Sequence, residues 1–314
     1  MATAADANPN LVSETEHFVR TNIKIPSLTP KWNLDAWCYL PKAGRAPHPV
    51  IIMAHGLGSN KLMGLAVYAQ AFASAGYACV VFDYRRWGAS DGTPRNSLYI
   101  ADQLDDYRTV IKYCRQQPEF DPQRVIIWGT SLAGGHVSVL SAEAELNLSA
   151  VVAQCPWLGI GAKPALSLPL LKLIAYSYLD WIEQAVGFGP LYVPTAAAPG
   201  QLAILNTPDS PMLRDDLPYV KSDFPNEITA SAVFQMQKHR AVDNASKVTC
   251  PILIVHADHD SICVTQGALD FARNCPKAEL VRLECGHFDI YPRQPYHKQA
   301  LDAELEFIKR IVPV

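Results

Sequence analysis

The sequence of 314 residues lacks the features that mark nucleic-acid-binding and membrane-spanning proteins. Lys and Arg form no cluster, and 27 of them against 30 Asp and Glu give a formal net charge of −3. A protein that neutralises phosphates carries a basic excess, so nucleic acid is not an expected partner. No run approaches the roughly 18 consecutive apolar residues that a membrane span needs. We therefore predict no membrane span.

Secretory and disulfide patterns are missing as well. The first residues, "MATAADANPNLVSETEH", contain no basic segment followed by an apolar run. The eight cysteines form no C-x-x-C pair, and several lie inside apolar runs such as "YACVVFDY". A chain of this length with 49% hydrophobic residues has enough apolar material for a core without disulfide bonds. We predict a cytoplasmic protein with buried, reduced thiols.

Metal-ligand spacing is also absent from the sequence. The chain has no H-x-x-x-H pattern and no cysteine cluster. The segment "HADHD" (256–260) does bring His and Asp together, but it directly follows an apolar run, where the acid of an enzyme site also belongs. We expect no metal and no other cofactor.

The sequence does contain a regular alternation of strand and helix patterns. Two early segments, 17–27 and 34–41, alternate apolar and polar residues and predict an antiparallel hairpin. Later strand-like runs are apolar throughout, as in strands buried on both faces of a parallel sheet. This alternation predicts an α/β fold with a mostly parallel, doubly wound sheet. The predicted parallel strands are 49–55, 77–84, 124–129, 150–155, 251–257 and 278–284, and the predicted helices between them are 60–75, 99–117, 132–145, 264–274 and 296–311.

One block, residues 158–247, interrupts the alternation. It begins with a nearly continuous apolar segment, passes through a Pro-rich region and ends in a helical pattern. Because the block is too long for a simple loop, we predict a mainly helical cap that covers the carboxyl edge of the sheet and lines a substrate chamber. A surface excursion that only thickens the core is the alternative. The predicted domains are a core of residues 1–157 and 248–314 and a cap of residues 158–247.

The segment "WGTSLAGG" (128–135) contains a serine framed by small residues at the end of an apolar run. A nucleophilic serine on a turn between strand and helix needs small neighbours, because the two elements must pass closely. Gly129 meets this need two residues before Ser131. Ala133 stands where the common G-x-S-x-G pattern has its second glycine, and two glycines follow it directly. We predict that Ser131 is a catalytic nucleophile and that the methyl group of Ala133 is tolerated.

Acidic and histidine candidates follow two later apolar runs. Active sites of α/β enzymes lie at the carboxyl ends of the strands, so Asp258 or Asp260 after "PILIVHA" and His287 after "AELVRLECG" are expected near Ser131. The chemistry of such a set is a Ser-His-Asp triad. His287 removes the Ser131 proton, the aspartate orients the imidazole, and an acyl-enzyme forms.

Backbone N–H groups near the serine are candidates for an oxyanion hole. Leu132, the residue after the nucleophile, supplies one, and the loop "HGLG" after the first parallel strand supplies a second, most simply through Leu57. Arg85, Trp87 and Trp157 are candidates for substrate contact. The alternative for "FDYRRWGASDGTPR" is a loop that only holds the serine turn in place.

Several motifs together resemble the α/β-hydrolase superfamily over nearly the whole chain. They are "AHGLGSNK", "FDYRRWGASDGTPR", "WGTSLAGGH", "VHADHDSIC" and "CGHF", and they are most similar to dienelactone-hydrolase-like enzymes and to fungal polyketide transferases and hydrolases of secondary-metabolite clusters. The resemblance implies an α/β-hydrolase fold with an inserted cap. It implies Ser131, Asp260 and His287 as the triad and Leu57 and Leu132 as the oxyanion positions. The alanine two residues after the nucleophile departs from the wider superfamily but fits this branch, in which Ser-x-x-Gly-Gly is common.

These observations predict a serine hydrolase that cleaves an ester or thioester of a bulky, apolar acyl group, with a polyketide as one candidate. An acyltransferase with an alcohol acceptor uses the same acyl-enzyme and stays open. So do C–C bond chemistry with His287 as the base and a ligand-binding protein without catalysis. The expected partner is a small acyl substrate, free or attached to a carrier protein. Whether the protein forms a homodimer is left open by the sequence.

Overall fold

The computed structural model describes residues 11–160, 166–210 and 224–314. Its strands and helices alternate over most of this length, as the apolar runs predict. The strands are β1 (Leu11–Glu14), β2 (Phe18–Pro26), β3 (Asn33–Pro41), β4 (His48–Ala54), β5 (Ala78–Phe82), β6 (Phe120–Thr130), β7 (Ala150–Gln154), β8 (Tyr192–Val193), β9 (Ile228–Thr229), β10 (Ile252–Ala257) and β11 (Ala278–Leu283). The helices are α1 (Leu65–Ser74), α2 (Ile100–Cys114), α3 (Leu132–Leu140), α4 (Leu168–Ala185), α5 (Ala232–Lys238), α6 (Thr265–Asn274) and α7 (His297–Ile311).

A nine-stranded sheet forms the centre of the described chain, in the order β1-β2-β3-β5-β4-β6-β7-β10-β11. Pairing is antiparallel from β1 to β5 and parallel from β5 to β11. The predicted hairpin is the β2–β3 pair, and the α/β fold with its mostly parallel sheet is confirmed. Strand β1 was not predicted, because its four residues are too few to show a period.

The sheet is buried on both faces. Successive residues of β4 enter two different hydrophobic clusters, with Val50 and Ile52 in one and Ile51 and Met53 in the other. All four are fully buried, and each such side chain contributes about 1.5–3 kcal/mol when it leaves water. Helices on both faces therefore sandwich the sheet. This explains why its inner strands β4, β5, β7 and β10 are almost wholly buried, whereas the outer strands β2 and β11 keep polar, partly exposed residues.

Three predicted helices are clearly shorter in the structure than in the pattern, and one of them is α2, which was predicted as 99–117 and spans Ile100–Cys114. Helix α1 begins at Leu65, because Gly64 with a φ of 77° ends a turn that occupies the residues before it. Helix α3 ends at Leu140 and is followed by a short 3₁₀ helix, Ala144–Leu146. All eight cysteines are buried and free, as predicted.

The described part of residues 158–247 contains α4, α5, the short β8–β9 pair and a 3₁₀ helix, Ala241–Lys247. The buried carboxylate of Asp180 on α4 accepts hydrogen bonds from the backbone N–H groups of Leu191 and Ser231, both at 2.8 Å. These bonds attach α4 to the rest of the insertion. The β8–β9 pair was not predicted, and the domain boundaries stay a prediction. No described helix is long and apolar enough to cross a membrane.

Candidate active site

Ser131 occupies a strained turn between β6 and α3. Its φ of 57° and ψ of −118° lie in a region that costs a residue other than glycine about 1–3 kcal/mol. Hydrogen bonds hold this conformation. The Ser131 N–H donates to the Gln154 carbonyl at 2.9 Å, and the Trp157 N–H donates to the Ser131 carbonyl at 2.8 Å. Such strain persists where the surroundings fix it, and it is common at functional sites.

The small residues around the serine meet close backbone contacts. A Cβ atom added to Gly129 would lie 2.3 Å from the Ala133 carbonyl oxygen, and one added to Gly135 would lie 2.1 Å from the Trp157 carbonyl oxygen. Neither position accepts a side chain without backbone movement. Ala133 is fully buried, and its methyl group is accommodated in the core.

Asp260 and His287 form a buried hydrogen-bonded pair. His287 Nδ1 lies 2.5 Å from Asp260 Oδ2. The other carboxylate oxygen, Oδ1, accepts from the backbone N–H groups of Ile262 at 2.8 Å and Cys263 at 2.7 Å. Because an ionised carboxylate only accepts, Nδ1 carries the proton and Nε2 is left for another partner.

Asp258, the other candidate for the acid of the triad, pairs with an arginine instead of His287. Asp258 Oδ1 accepts from Arg282 Nε at 2.8 Å, and the arginine side chain is half-exposed. Of the two acids that the sequence offered, the structure therefore brings Asp260, and not Asp258, into contact with His287.

The electrostatic surroundings of His287 favour its charged form. Burial lowers the pKa of the imidazole, but the charge of Asp260, its hydrogen bond and a further contribution from Asp209 outweigh burial and raise the pKa above its ordinary value. A histidine tuned in this way binds a proton readily during a reaction. It suits the role of a general base that becomes an imidazolium.

Asp209 belongs to the inserted block and was not a sequence candidate. Its carboxylate accepts from the backbone N–H and the hydroxyl of Ser261, both at 2.8 Å. A Cβ atom added to Gly286, the residue before His287, would lie 2.9 Å from Asp209 Oδ1. The insertion thus contacts both the acid loop and the histidine loop.

The predicted oxyanion residues lie on two segments beside Ser131. Leu132 is the first residue of α3, so its N–H is one of the free N–H groups at a helix N-terminus. On the other side, a Cβ atom added to Gly56 would lie 2.9 Å from the Ser131 Cβ atom, which places the loop containing Leu57 against the serine. The role of Leu57 and Leu132 as oxyanion donors stays a prediction.

A buried ion-pair cluster holds the loop after β4, and sequence reasoning missed it. Lys61 Nζ lies 2.5 Å from both Asp35 Oδ1 and Asp83 Oδ2, and the Lys61 N–H donates to Asp83 Oδ1 at 2.7 Å. His55 packs edge-on against Tyr84, and burial lowers the pKa of its imidazole. His55 thus supports this loop rather than serving as a base.

A cavity of about 660 Å³ lies between the core and the insertion. On the core side it is lined by Trp157 and Ile262, whose backbone N–H groups bind Ser131 and Asp260 respectively. On the insertion side it is lined by Leu170 and Leu173 of α4 and by Met236 of α5. No charged side chain occurs among its described lining residues. We call this cavity the acyl chamber.

Of the three candidates for substrate contact, the structure places only Trp157 on the wall of the acyl chamber. Arg85 is buried, and its Nε donates to Asp106 Oδ1 at 2.7 Å. The buried Asp106 needs this counter-charge. Trp87 is also buried and donates its indole N–H to the Ser97 carbonyl at 3.1 Å. Neither residue is among the described residues that line the acyl chamber, and Trp87 instead lines a separate cavity beside Lys61. Substrate contact by Arg85 and Trp87 stays a prediction.

Two buried cysteines near the triad candidates were not predicted. Cys263 Sγ lies 4.0 Å from Ser131 Oγ. In the part of the chain that the structure describes, Cys155, Asp260 and His287 form the one group of side chains with metal-ligand atoms within 4.8 Å of one another. Burial raises the pKa of both thiols well above the ordinary value, so they stay protonated and are poor ligands and nucleophiles. The position of Cys263 three residues after Asp260 is the signal that sequence reasoning had available.

Known proteins resemble this chain in sequence and in fold. Residues 45–287 match the Hydrolase_4 family, described as serine aminopeptidase, S33. The chain is 37% identical over 282 residues to the quorum-quenching protein AidA of Acinetobacter baumannii, which covers 89% of this chain and 92% of the relative. It is also 25% identical over 287 residues to a polyketide transferase of Stachybotrys chlorohalonatus. This match covers 89% of this chain and 93% of the transferase.

A similar fold occurs among solved structures. The α/β hydrolase GrgF from a Penicillium species superposes with a TM-score of 0.78 over 94% of this chain and 99% of that chain. The two sequences are 21% identical. At this identity the likeness concerns the fold alone, and it matches the fold that the sequence motifs imply.

Proposed function

The chain belongs to the Hydrolase_4 family of α/β-hydrolase enzymes, and on this basis we propose that it hydrolyses an ester or thioester of an uncharged, apolar acyl group through an acyl-enzyme on Ser131. The observation that carries the proposal is the Asp260–His287 hydrogen bond, which lies in a buried site directly beside the acyl chamber. A cyclic ester is included in this class, because it presents the same carbonyl chemistry.

The mechanism uses the second ring nitrogen of His287, Nε2. Nδ1 is occupied by Asp260, so Nε2 takes the Ser131 proton while Oγ attacks the acyl carbonyl carbon. The tetrahedral oxyanion is stabilised by the N–H groups of Leu57 and Leu132. His287 returns the proton to the leaving alcohol or thiol. In the second half, His287 deprotonates water, which attacks the acyl-enzyme and releases the acid.

The acyl chamber supports an apolar substrate. Its described lining contains apolar side chains and a few uncharged polar ones, and its volume is within the range of small-molecule sites. A charged group there would lose its hydration without gaining a counter-charge. In particular, none of the described lining residues is an acid that would bind the free amino group of a peptide. Ester and thioester substrates are therefore favoured over peptides within this family.

Two relatives extend the list of substrates. One is named a quorum-quenching protein and another a polyketide transferase. Quorum-sensing signals and polyketides thus join the esters and thioesters in the panel of compounds for this chain. Transfer of the acyl group to an alcohol is the second candidate function, because the polyketide transferase matches over 93% of its own length.

The test begins with a fluorophosphonate and intact-mass measurement. We expect a single adduct on the wild type, none on Ser131→Ala, and a full adduct on Ser261→Ala, which removes another serine beside the chamber. Absence of an adduct on the wild type overturns the proposal. Activity of Ser131→Ala at the wild-type level would instead support chemistry with His287 as the base.

A substrate panel then separates the functions. Acyl esters and acyl thioesters of increasing chain length are compared with a peptide anilide and with an ester that carries a free carboxylate in its acyl group. We expect hydrolysis of the first two and little turnover of the others. With an added alcohol, an ester product in place of the acid identifies the enzyme as an acyltransferase.

A further inference from the structure

Exposed apolar side chains are concentrated in one part of the described chain. Fifteen large apolar residues are exposed, and eleven of them lie within residues 166–188. This segment contains α4 and the residues that follow it, and we call its outer side the α4 surface. Contiguous apolar patches larger than a few hundred Å² mark interaction sites. The eleven residues are Leu166, Leu168, Leu171, Ile174, Tyr176, Tyr178, Leu179, Trp181, Ile182, Val186 and Phe188.

The fully buried residues of helix α4 form one narrow stripe. Its buried residues are Leu173, Ser177 and Asp180, at spacings of four and three. Most of its other residues are apolar and at least partly exposed to solvent, and the polar exceptions are Lys172, Glu183 and Gln184. A helix that is apolar all round is normally buried on all sides. Apart from the edge-on contact between the Tyr178 and Phe234 rings, whose centroids lie 5.0 Å apart, the outer side of α4 is left exposed by the residues that the structure describes.

The exposed side of α4 has the spacing of a helix–helix contact. Leu171, Ala175, Tyr178 and Ile182 follow one another at intervals of four, three and four residues, so they form a continuous stripe opposite the buried one. A stripe of this kind packs against another helix. Two antiparallel copies related by a twofold axis through the middle of α4 would pair Leu171 with Ile182 and Ala175 with Tyr178.

The size and shape of the α4 surface fit a symmetric contact. The eleven exposed residues together leave roughly 1,000 Å² in solvent, summed over all sides of the segment, if an aromatic side chain counts as about 150–250 Å². A stable interface buries about 800 Å² per partner. A groove of about 660 Å³ lies beside the α4 surface and is lined by Tyr178, Trp181 and Phe234. On the same surface the Phe188 side chain protrudes and is 72% exposed, one residue after Gly187. A knob and a groove on one face are self-complementary, as a twofold contact requires.

Charge favours a second copy over a lipid surface. The charged residues of α4 that are not fully buried are Lys172 and Glu183, of opposite sign. A helix that lies on a membrane usually carries Lys and Arg along its polar side, and α4 lacks them. The segment "MATAADANPN" (1–10) contains no Leu, Ile, Val or aromatic residue, so it does not have the composition of an apolar cover.

We propose that the α4 surface is the interface between two copies of this chain, which pair about a twofold axis with α4 against α4. The inner side of the same helix lines the acyl chamber through Leu170 and Leu173. Dimer formation therefore fixes one wall of the chamber in place. This consequence rests on the proposed function, whereas the interface itself does not.

The test is sedimentation of the full chain at micromolar concentrations. We expect the wild type at twice the chain mass of 34.5 kDa, and Tyr178→Asp and Phe188→Asp at the mass of one chain. Both replaced residues are exposed, so the variants should fold, which circular dichroism checks. The matched control is Leu28→Asp, which places the same charge at an exposed leucine far from α4 in sequence and should leave the dimer intact.

Three results would overturn the interface. They are a monomeric wild type, α4 variants that remain dimeric, and a control variant that dissociates to the same extent. Flotation with phosphatidylcholine vesicles tests the other occupant, because a monomeric wild type that binds vesicles through Phe188 assigns the face to lipid. Fluorophosphonate labelling of the dissociated variants separates the two proposals. An intact Ser131 adduct on a monomer shows that the triad is unaffected by loss of the dimer.

Discussion

Asp209 accepts two hydrogen bonds from Ser261, the residue that directly follows Asp260. Through this contact a charged side chain of the insertion binds the loop that carries the acid. The same carboxylate lies against Gly286 and raises the pKa of His287. The insertion therefore contributes to the electrostatics of the site as well as to the chamber wall.

Replacement of this carboxylate should shift the pH profile. The negative charge of Asp209 stabilises the imidazolium of His287 and raises its pKa. The neutral imidazole is the base, so Asp209→Asn should lower that pKa and move the acid limb of kcat/KM to lower pH. Asp260 and His256 also face His287, and both are retained in the variant. The measurement is kcat/KM for one ester between about pH 4 and pH 9.

The control for this shift is Asp270→Asn, which removes the same charge from the exposed side of α6 and should leave the acid limb unchanged. Ser261→Ala keeps the Asp209 charge but removes the hydroxyl contact, so it should alter the limb less than Asp209→Asn does. If the acid limb of the kcat/KM profile of Asp209→Asn stays unchanged or moves to higher pH, Asp209 does not raise the pKa of His287.

The two aspartates of the acid loop should differ strongly in their effect on catalysis. Asp260→Asn removes the carboxylate that fixes the His287 tautomer, and we expect kcat/KM to fall by about 10³–10⁴-fold. Asp258→Asn removes only a pair with the half-exposed Arg282, so its effect should stay below about fivefold. Equal losses in the two variants would show that neither aspartate has the specific role.

The size of the acyl chamber should set the preferred chain length. Leu170→Trp adds volume at the α4 wall, and Met236→Ala removes it at the α5 wall. We expect the first variant to prefer shorter acyl chains than the wild type and the second to prefer longer ones. The measurement is kcat/KM across a series of straight-chain esters. Shifts in the same direction in both variants would mean that the acyl group binds elsewhere.

Glu304 should make stability depend on pH. Burial raises the pKa of its carboxyl group to about 8, against a smaller opposing effect of the hydrogen bond from the Trp128 indole. Between the ordinary value of 4.5 and about 8 the folded state holds a proton that the unfolded state has lost. This contribution to the free energy of unfolding is complete below the ordinary value and is lost as the pH rises through about 8.

Glu304→Gln cannot lose a proton and still accepts from Trp128. We therefore expect it to raise the free energy of unfolding relative to the wild type more at about pH 8.5 than at about pH 5, as measured by urea unfolding. Glu306→Gln, two residues further along α7 and exposed, is the matched control. If Glu304→Gln raises the free energy of unfolding by the same amount at both pH values, the pKa of Glu304 is not raised in the folded state.

Much of the fold could be predicted from local patterns. Continuous apolar runs located the parallel strands, because a strand buried on both faces has no polar side. The small residues at Gly129 and Gly135 indicated the turn that holds Ser131, since a side chain at either position meets backbone. The short strand β1 and the β8–β9 pair escaped notice because strands of two to four residues show no period.

Other features depend on segments far apart in the chain. Arg85 is a candidate for substrate contact in the sequence, yet its guanidinium donates to Asp106 on α2. Lys61 reaches both Asp35 on β3 and Asp83 after β5. No spacing rule connects these positions, because their contacts arise only when the sheet is assembled.

The sequence by itself determined the strand and helix order, the α/β class and the set of reactive residues at the strand ends, because apolar periodicity and small turn residues act locally. Only the tertiary structure brought Asp260 into contact with His287, added Asp209 to this pair, and left most of the outer side of α4 exposed. The physical reason is that charges interact, and apolar surface is buried, according to distance in space rather than separation along the chain.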